Sequence, residues 1–388
     1  MPKEFRLTKR TSVHLDAIRG VSALAVLLYH LRGLFFVDYP FLARKSLFAS
    51  ALYAVSGYGH QAVIVFFVLS GYFIGTSVME SVGKVRWSWR VYLVSRFARL
   101  QLVLFPALVL GALWDSIGLR LPRAFPLYYN ALYKFSATSV ASRLTISAFV
   151  GNFFYLQSFI SPVFGSNGPL WSLSYEFWYY ILFPAMVLTM AAWVGYRARS
   201  LYAVLFLFLL WFVGWQISFY FLIWLLGAFE GYLLRKAKFI PGFPGITFLG
   251  GLVFIGALAW CRTHRLSSDV LTDYVVAVCF GAWLYTVLLG TREDVPPAYE
   301  HVAKKISGFS YTLYLTHFPV LLLLRGLLDP KGNWQPDVLH LSSALGIGLA
   351  IVLYAYGVAE LTEAHTAKVR LSLLNMTAPK EAAPSQKI

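Results

Sequence analysis

The chain has 388 residues, of which 59% are hydrophobic and only 13% charged, and its mean hydropathy is +0.65. Soluble domains carry about 25% charged residues, and one core cannot hide so much apolar surface, so a soluble protein is excluded and the excess faces lipid. The net charge of +16 lies in clusters between apolar segments and forms no basic stripe or nucleic-acid motif, which excludes a nucleic-acid binder.

In chain order, stretches of the length a membrane helix needs, about 20 mostly apolar residues, lie near 15–36, 60–79, 97–118, 169–193, 200–214, 216–234, 245–261, 270–290, 307–327 and 341–360. Within lipid only helices and closed barrels satisfy the backbone. These runs are too long for barrel strands and lack their alternation, so the expected fold is all-α with about ten crossings. Segment 145–160, short and interrupted by Gly151 and Asn152, reads as interfacial or re-entrant. With both termini cytoplasmic, Lys and Arg favour that side by about two to one. Loop 119–144, with Arg120, Arg123, Lys134 and Arg143, goes against this bias. The expected organisation is a basic tail 1–14, a membrane domain 15–365, and a cytoplasmic tail 366–388, disordered from Met376 onward.

Ionisable groups inside a bilayer are costly and mark function. The first helix carries Asp16, Arg19 and His30. Eleven residues separate Arg19 from His30, about three turns, which puts both on one face about 16 Å apart along the axis. Asp16, three residues before Arg19, can pair with it. The plainer reading is an arginine reaching for headgroups and a histidine bonded to a neighbouring helix. In VIVFFVLSGYFIG, Ser70 and Gly71 fit helix packing better than nucleophilic chemistry. Arg96 and Arg99 share a face and suit either phosphate recognition or ordinary flanking of a crossing.

The stretch NGPLWSLSYEFWYYILFP sets Ser172 and Glu176 one turn apart. The carboxylate can orient an imidazole, act as a base, or brace a neighbouring helix. SYTLYLTHFP aligns Ser310, Tyr314 and His317 on one face, His317 near mid-bilayer, either catalytic or bonded between helices. The other six histidines fall in loops or near interfaces, no metal-binding spacing occurs, and Cys261 and Cys279 suit apolar packing.

LDAIRGVSALAVLLYH, FFVLSGYFI, SRFARLQ, LWSLSYEFWYYILFP and SYTLYLTHFP, in this order from about Leu15 to Glu360, resemble membrane-bound acyltransferase family 3. The resemblance implies a ten-helix enzyme of the bacterial inner membrane that moves an acetyl or other short acyl group from cytoplasmic acyl-CoA to a sugar or polysaccharide, without a metal. Matched by motif, Arg19 and His30 form the first-helix signature, Arg96 and Arg99 the Arg-x-x-Arg pair, and Glu176 the acid of the WSLS-x-E element. The expected roles follow. His30, Glu176, Arg19 and His317 are catalytic; Arg96, Arg99 and Arg19 hold acyl-CoA; Asp16, Ser70, Ser172 and Tyr314 support them. Two departures stand out: no SGNH-type domain of the kind many relatives add, and Glu360 and Glu363 in AELTEAH where a Glu-x-Pro is usual. A proton-coupled transporter is the rival reading, since His, Glu and Arg also build proton relays, but the sequence carries no inverted repeat.

Overall fold

The computed structural model describes residues 8–130, 135, 137–236, 244–263, 269–289 and 297–377. Its α-helices in chain order are α1 (Lys9–Phe35), α2 (Leu47–Val55), α3 (Gly59–Gly83), α4 (Trp89–Leu119), α5 (Phe125–Tyr129), α6 (Val140–Arg143), α7 (Ile146–Phe153), α8 (Trp171–Met190), α9 (Tyr196–Lys236), α10 (Pro244–Thr263), α11 (Asp269–Leu289), α12 (Glu300–Gly308), α13 (Ser310–Leu328), α14 (Val338–Leu361) and α15 (Thr366–Met376). The described residues contain no strand, only isolated bridges. The protein is an all-α polytopic membrane protein.

Among the described residues, eight helical stretches are long and apolar enough to cross a bilayer. One of them, α9, is 41 residues long, about 60 Å as a straight rod and twice the hydrocarbon core. It reverses at Gly214, whose φ of 81° is open to glycine at little cost. The Phe206 and Phe221 rings then meet at 6.4 Å, which a straight helix forbids. With α9 as two segments, helices stand at all ten expected positions. α8 is not among the eight, because its Ser, Tyr, Trp and Glu residues dilute its apolarity. α7, with eight residues, is too short to cross. Asn152 ties it down, donating to the Ala148 and Pro162 carbonyls at 2.8 Å and accepting from Phe164 N–H at 3.1 Å.

The first helix starts earlier than expected, at Lys9, because Thr8 caps it and accepts from Thr11 N–H. The tail after 366 is helical through α15, and Arg90 on α4 donates to Leu374 O at 3.2 Å. The disorder expected from Met376 onward falls, after Thr377, outside the described residues.

Among the described residues, three helices carry a proline in their interior. An internal proline frees the carbonyl four residues back, and membrane helices use neighbouring side chains to satisfy it. Pro319 of α13 frees Leu315 O, which accepts from Asn167 Nδ2 at 2.7 Å. Pro184 of α8 frees Tyr180 O, which accepts from Tyr92 OH at 2.9 Å. These bonds fix α13 against the Asn167–Pro169 turn and α8 against α4. Small residues let α3 and α9 touch: a Cβ on Gly227 meets Val68 O at 1.8 Å, and one on Gly71 meets Trp224 O at 1.9 Å.

Candidate functional site

Several cavities lie along α1, and two of them gather the expected site residues. The first, about 90 Å³, is lined by Arg19, Ser70, Arg99, Ser172, Glu176, Tyr180, Ser310 and Tyr314 among others. Arg19 comes from α1 and pairs with Asp16 at 3.7 Å, and Asp16 in turn accepts from Ser307 Oγ at 3.0 Å. Arg99 comes from α4, and its exposed side chain lines the cavity. No carboxylate lies within ion-pair distance of it among the described residues. Glu176 Oε1 accepts from Ser70 Oγ at 3.1 Å and from Tyr180 OH, and Ser70 Oγ accepts from Trp224 Nε1 at 3.2 Å. Two guanidinium groups and one braced carboxylate thus face one small space, where planar donors suit phosphate or carboxylate oxygens.

Glu363 is bonded at the start of α13. Its Oε2 accepts from Thr312 N–H at 3.1 Å and Thr312 Oγ1 at 2.8 Å, satisfying one of the unpaired donors at the start of α13. Arg99 and Arg19 both lie within its electrostatic reach. This carboxylate enters from a turn after α14, so neither periodicity nor local spacing connects it with the first helix.

The second cavity, about 180 Å³, is lined by Tyr29, His30, His60, Phe135, Trp171, Tyr314 and Phe318 among others. Val63 and Tyr314 line both cavities and form the partition. Tyr314 OH donates to Pro169 O at 3.0 Å and accepts from Ser172 Oγ at 2.8 Å, which holds its ring in place. A third cavity, about 450 Å³ and lined by Gly33, Asp38, Arg325 and Asn333 among others, shares Phe135 with the second. Arg19, His30 and Gly33 therefore mark three successive spaces along one helix.

His317 is fully buried. Its Nδ1 lies 2.9 Å from both Leu313 O and Tyr314 O. Carbonyls only accept, so Nδ1 carries the proton, and in the neutral ring Nε2 is the acceptor. Nε2 lies 2.9 Å from His30 Nδ1, which must donate. The lone pair of His30 is then left on Nε2. The chain thus presents the His30 imidazole, with a defined tautomer, at the second cavity.

The sequence expectations sort accordingly. Arg19, Arg99, Glu176, Ser70, Ser172 and Tyr314 gather at the first cavity, Asp16 pairs with Arg19, and His30 meets His317. Glu176 does not orient His30; the orienting partner is His317, because Glu176 is held by Ser70 and Tyr180 in the neighbouring cavity. Arg96 is not part of that lining; its guanidinium lies over the rings of Tyr92 and Tyr180, 5.5 and 5.9 Å from their centroids. His60, at the end of a crossing, also has a buried partner: its Nε2 bonds Asp273 Oδ2 at 2.8 Å, and Asp273 is 1% exposed. An aspartate within an apolar span was the available signal for that pair.

Comparison with curated proteins and with solved structures gives no significant match. A family model described as an acyltransferase domain matches residues 13–357, nearly the whole chain. With that match lying over a bundle of membrane-spanning helices that carries polar cavities, the chain belongs to acyltransferase family 3 and is a membrane acyltransferase.

Proposed function

We propose that the protein moves a short acyl group, acetyl above all, from cytoplasmic acyl-CoA to a hydroxyl of a sugar or polysaccharide on the far side of a bacterial inner membrane, with both termini cytoplasmic. The observation that carries this reading is the pair of cavities back to back across Tyr314 and Val63, arginines in one and the His30 base in the other. Acyl-CoA approaches from the Arg19 side, its phosphates drawn to Arg99 and Arg19, and its pantetheine arm spans the roughly 16 Å to His30. The acceptor approaches past Phe135.

His30 Nε2 takes the proton of the acceptor hydroxyl as its oxygen bonds to the acyl carbon. The tetrahedral centre collapses, the C–S bond breaks, and the departing thiolate takes up the proton from His30. The His30 Nδ1–H bond to His317 Nε2 stabilises the imidazolium between these steps. Because the nucleotide stays on its own side, no highly charged group crosses the hydrocarbon, which avoids a large desolvation cost.

Proteoliposomes supplied with labelled acetyl-CoA on one side and a glycan acceptor on the other test the proposal. CoA release and labelled glycan must appear together, and His30→Ala must abolish both. A folded His30→Ala protein that acylates at the wild-type rate, or substrate flux without CoA release, overturns it.

A further inference from the structure

The second cavity contains a base that the mechanism above does not use. His60, at the start of α3, has its side chain 42% exposed and lines the cavity together with His30. Its Nε2 meets Asp273 Oδ2 at 2.8 Å, and Tyr220 OH donates to the same oxygen at 2.5 Å. A carboxylate as buried as Asp273 is costly unless it is paired and hydrogen-bonded, and α3 and α9 each send it a donor. The carboxylate can only accept, so Nε2 of His60 carries the proton, and in the neutral ring the lone pair is on Nδ1. Nδ1 has no protein partner among the described residues. The ring is also stacked on Trp171, with centroids 5.9 Å apart at 18°. Three side chains, Trp171 of α8, Tyr220 of α9 and Asp273 of α11, thus hold one imidazole of α3 in place, Tyr220 acting through Asp273.

His30 Nε2 carries the other imidazole lone pair at this cavity. The rest of the lining is largely aromatic: Tyr29, Phe135, Trp171 and Phe318. Two fixed acceptors within an aromatic wall fit a ligand that offers two hydroxyl donors on an otherwise apolar face, which is the chemistry of a sugar ring. A site built to bond a substrate hydroxyl rejects an analogue lacking it, because the site's own polar group is then left unpaired.

We propose that His60, held by Asp273 and Tyr220, is an acceptor-binding residue whose Nδ1 accepts a hydrogen bond from a second hydroxyl of the acceptor while His30 activates the first. This makes the site selective for polyhydroxylated acceptors over alcohols with a single hydroxyl, and it rests on the acyl-transfer reading above.

The test uses the purified full chain in lipid nanodiscs, with labelled acetyl-CoA as donor and methyl β-D-glucopyranoside or n-butanol as acceptor. His60→Gln keeps a donor for Asp273 but removes the imidazole; Asp273→Asn keeps the volume but loosens the tautomer. The wild-type protein is expected to prefer the glucoside. Both variants are expected to raise its KM more than tenfold and to lower the glucoside-to-butanol ratio of kcat/KM at least tenfold. A wild-type protein that prefers butanol overturns the proposal, as does a ratio unchanged in His60→Gln, whether the individual rates hold or fall together. If the wild-type protein releases no CoA in a His30-dependent way, the acyl-transfer reading itself falls, a result distinct from the other two.

Discussion

His30 Nδ1 and His317 Nε2 lie 2.9 Å apart, joining the first helix to α13 across 287 residues of chain. Because two carbonyls hold the far nitrogen of His317, one hydrogen bond fixes the tautomers of both rings and leaves a lone pair on His30 Nε2. The pair resembles other base–orienter arrangements in logic, with a neutral imidazole where a carboxylate often stands.

Replacing His317 by phenylalanine keeps a ring in the buried site but leaves His30 Nδ1–H without its acceptor. Acyl transfer is expected to fall by about 10²-fold or more, toward the range attributed to general base catalysis, with KM for acyl-CoA changed by less than about threefold, since the cavity proposed for the donor is elsewhere. Steady-state CoA release across an acyl-CoA series checks this. A wild-type kcat reduces the histidine pair to helix packing.

Tyr314 separates the two cavities, and its hydroxyl is tied to Pro169 and Ser172. Tyr314→Ala joins the cavities and admits water to the thioester, a side reaction that closed sites suppress. The ratio of acetyl-CoA hydrolysis to acyl transfer is expected to rise by about tenfold, read by comparing thiol release with product label. Tyr314→Phe, which keeps the ring, moves the ratio less. Equal ratios in all three proteins rule out a partition role.

Arg96 and Arg99, three residues apart, are expected to behave differently. Arg99 opens onto the cavity, whereas Arg96 is stacked on Tyr92 and Tyr180. Losing a charged hydrogen-bonding partner costs about 1.5–3 kcal/mol, so Arg99→Ala raises KM for acyl-CoA by roughly tenfold or more. Arg96→Ala leaves KM within about threefold and shows its effect in thermal stability. Binding titrations with acetyl-CoA and unfolding scans separate the two; matching KM increases refute the distinction.

Gly227 touches Val68 O where α9 crosses α3, so a side chain there has no room. Gly227→Val is expected to destabilise by about 1–3 kcal/mol or more through overpacking, seen as a lower unfolding midpoint in detergent. At Gly256 of α10 nothing lies within 4 Å of the place a methyl group would take, and Gly256→Ala is expected to be neutral or mildly stabilising. Equal midpoint losses for both speak against close α3–α9 packing.

Much of the architecture was legible because a bilayer makes helix formation a local matter. A run of apolar residues must bond its own backbone wherever it sits, so ten segments could be marked without knowing their neighbours. The reversal at Gly214 was visible as a polar interruption between two short runs. Helix starts were harder: α1 reaches back to Lys9 because a single hydroxyl on Thr8 caps it.

The site divides along the same line. Helical periodicity alone put Arg19 and His30 on one face and Ser310, Tyr314 and His317 on another, because those relations lie within one helix. Which partner each side chain meets depends on how separate helices pack, and no local pattern encodes that. Glu176 had the chemistry to orient His30, yet tertiary packing gave that task to His317 and set Glu176 beside Ser70 and Tyr180. Packing also brought Glu363 to the start of α13 and Asp273 to His60, pairings across 51 and 213 residues. The sequence by itself determined a helical membrane protein with polar groups aligned along its first crossing, since backbone satisfaction and helix pitch are local. Only the tertiary structure decided which side chains meet each imidazole, since a hydrogen bond between two crossings exists only once both helices are in place.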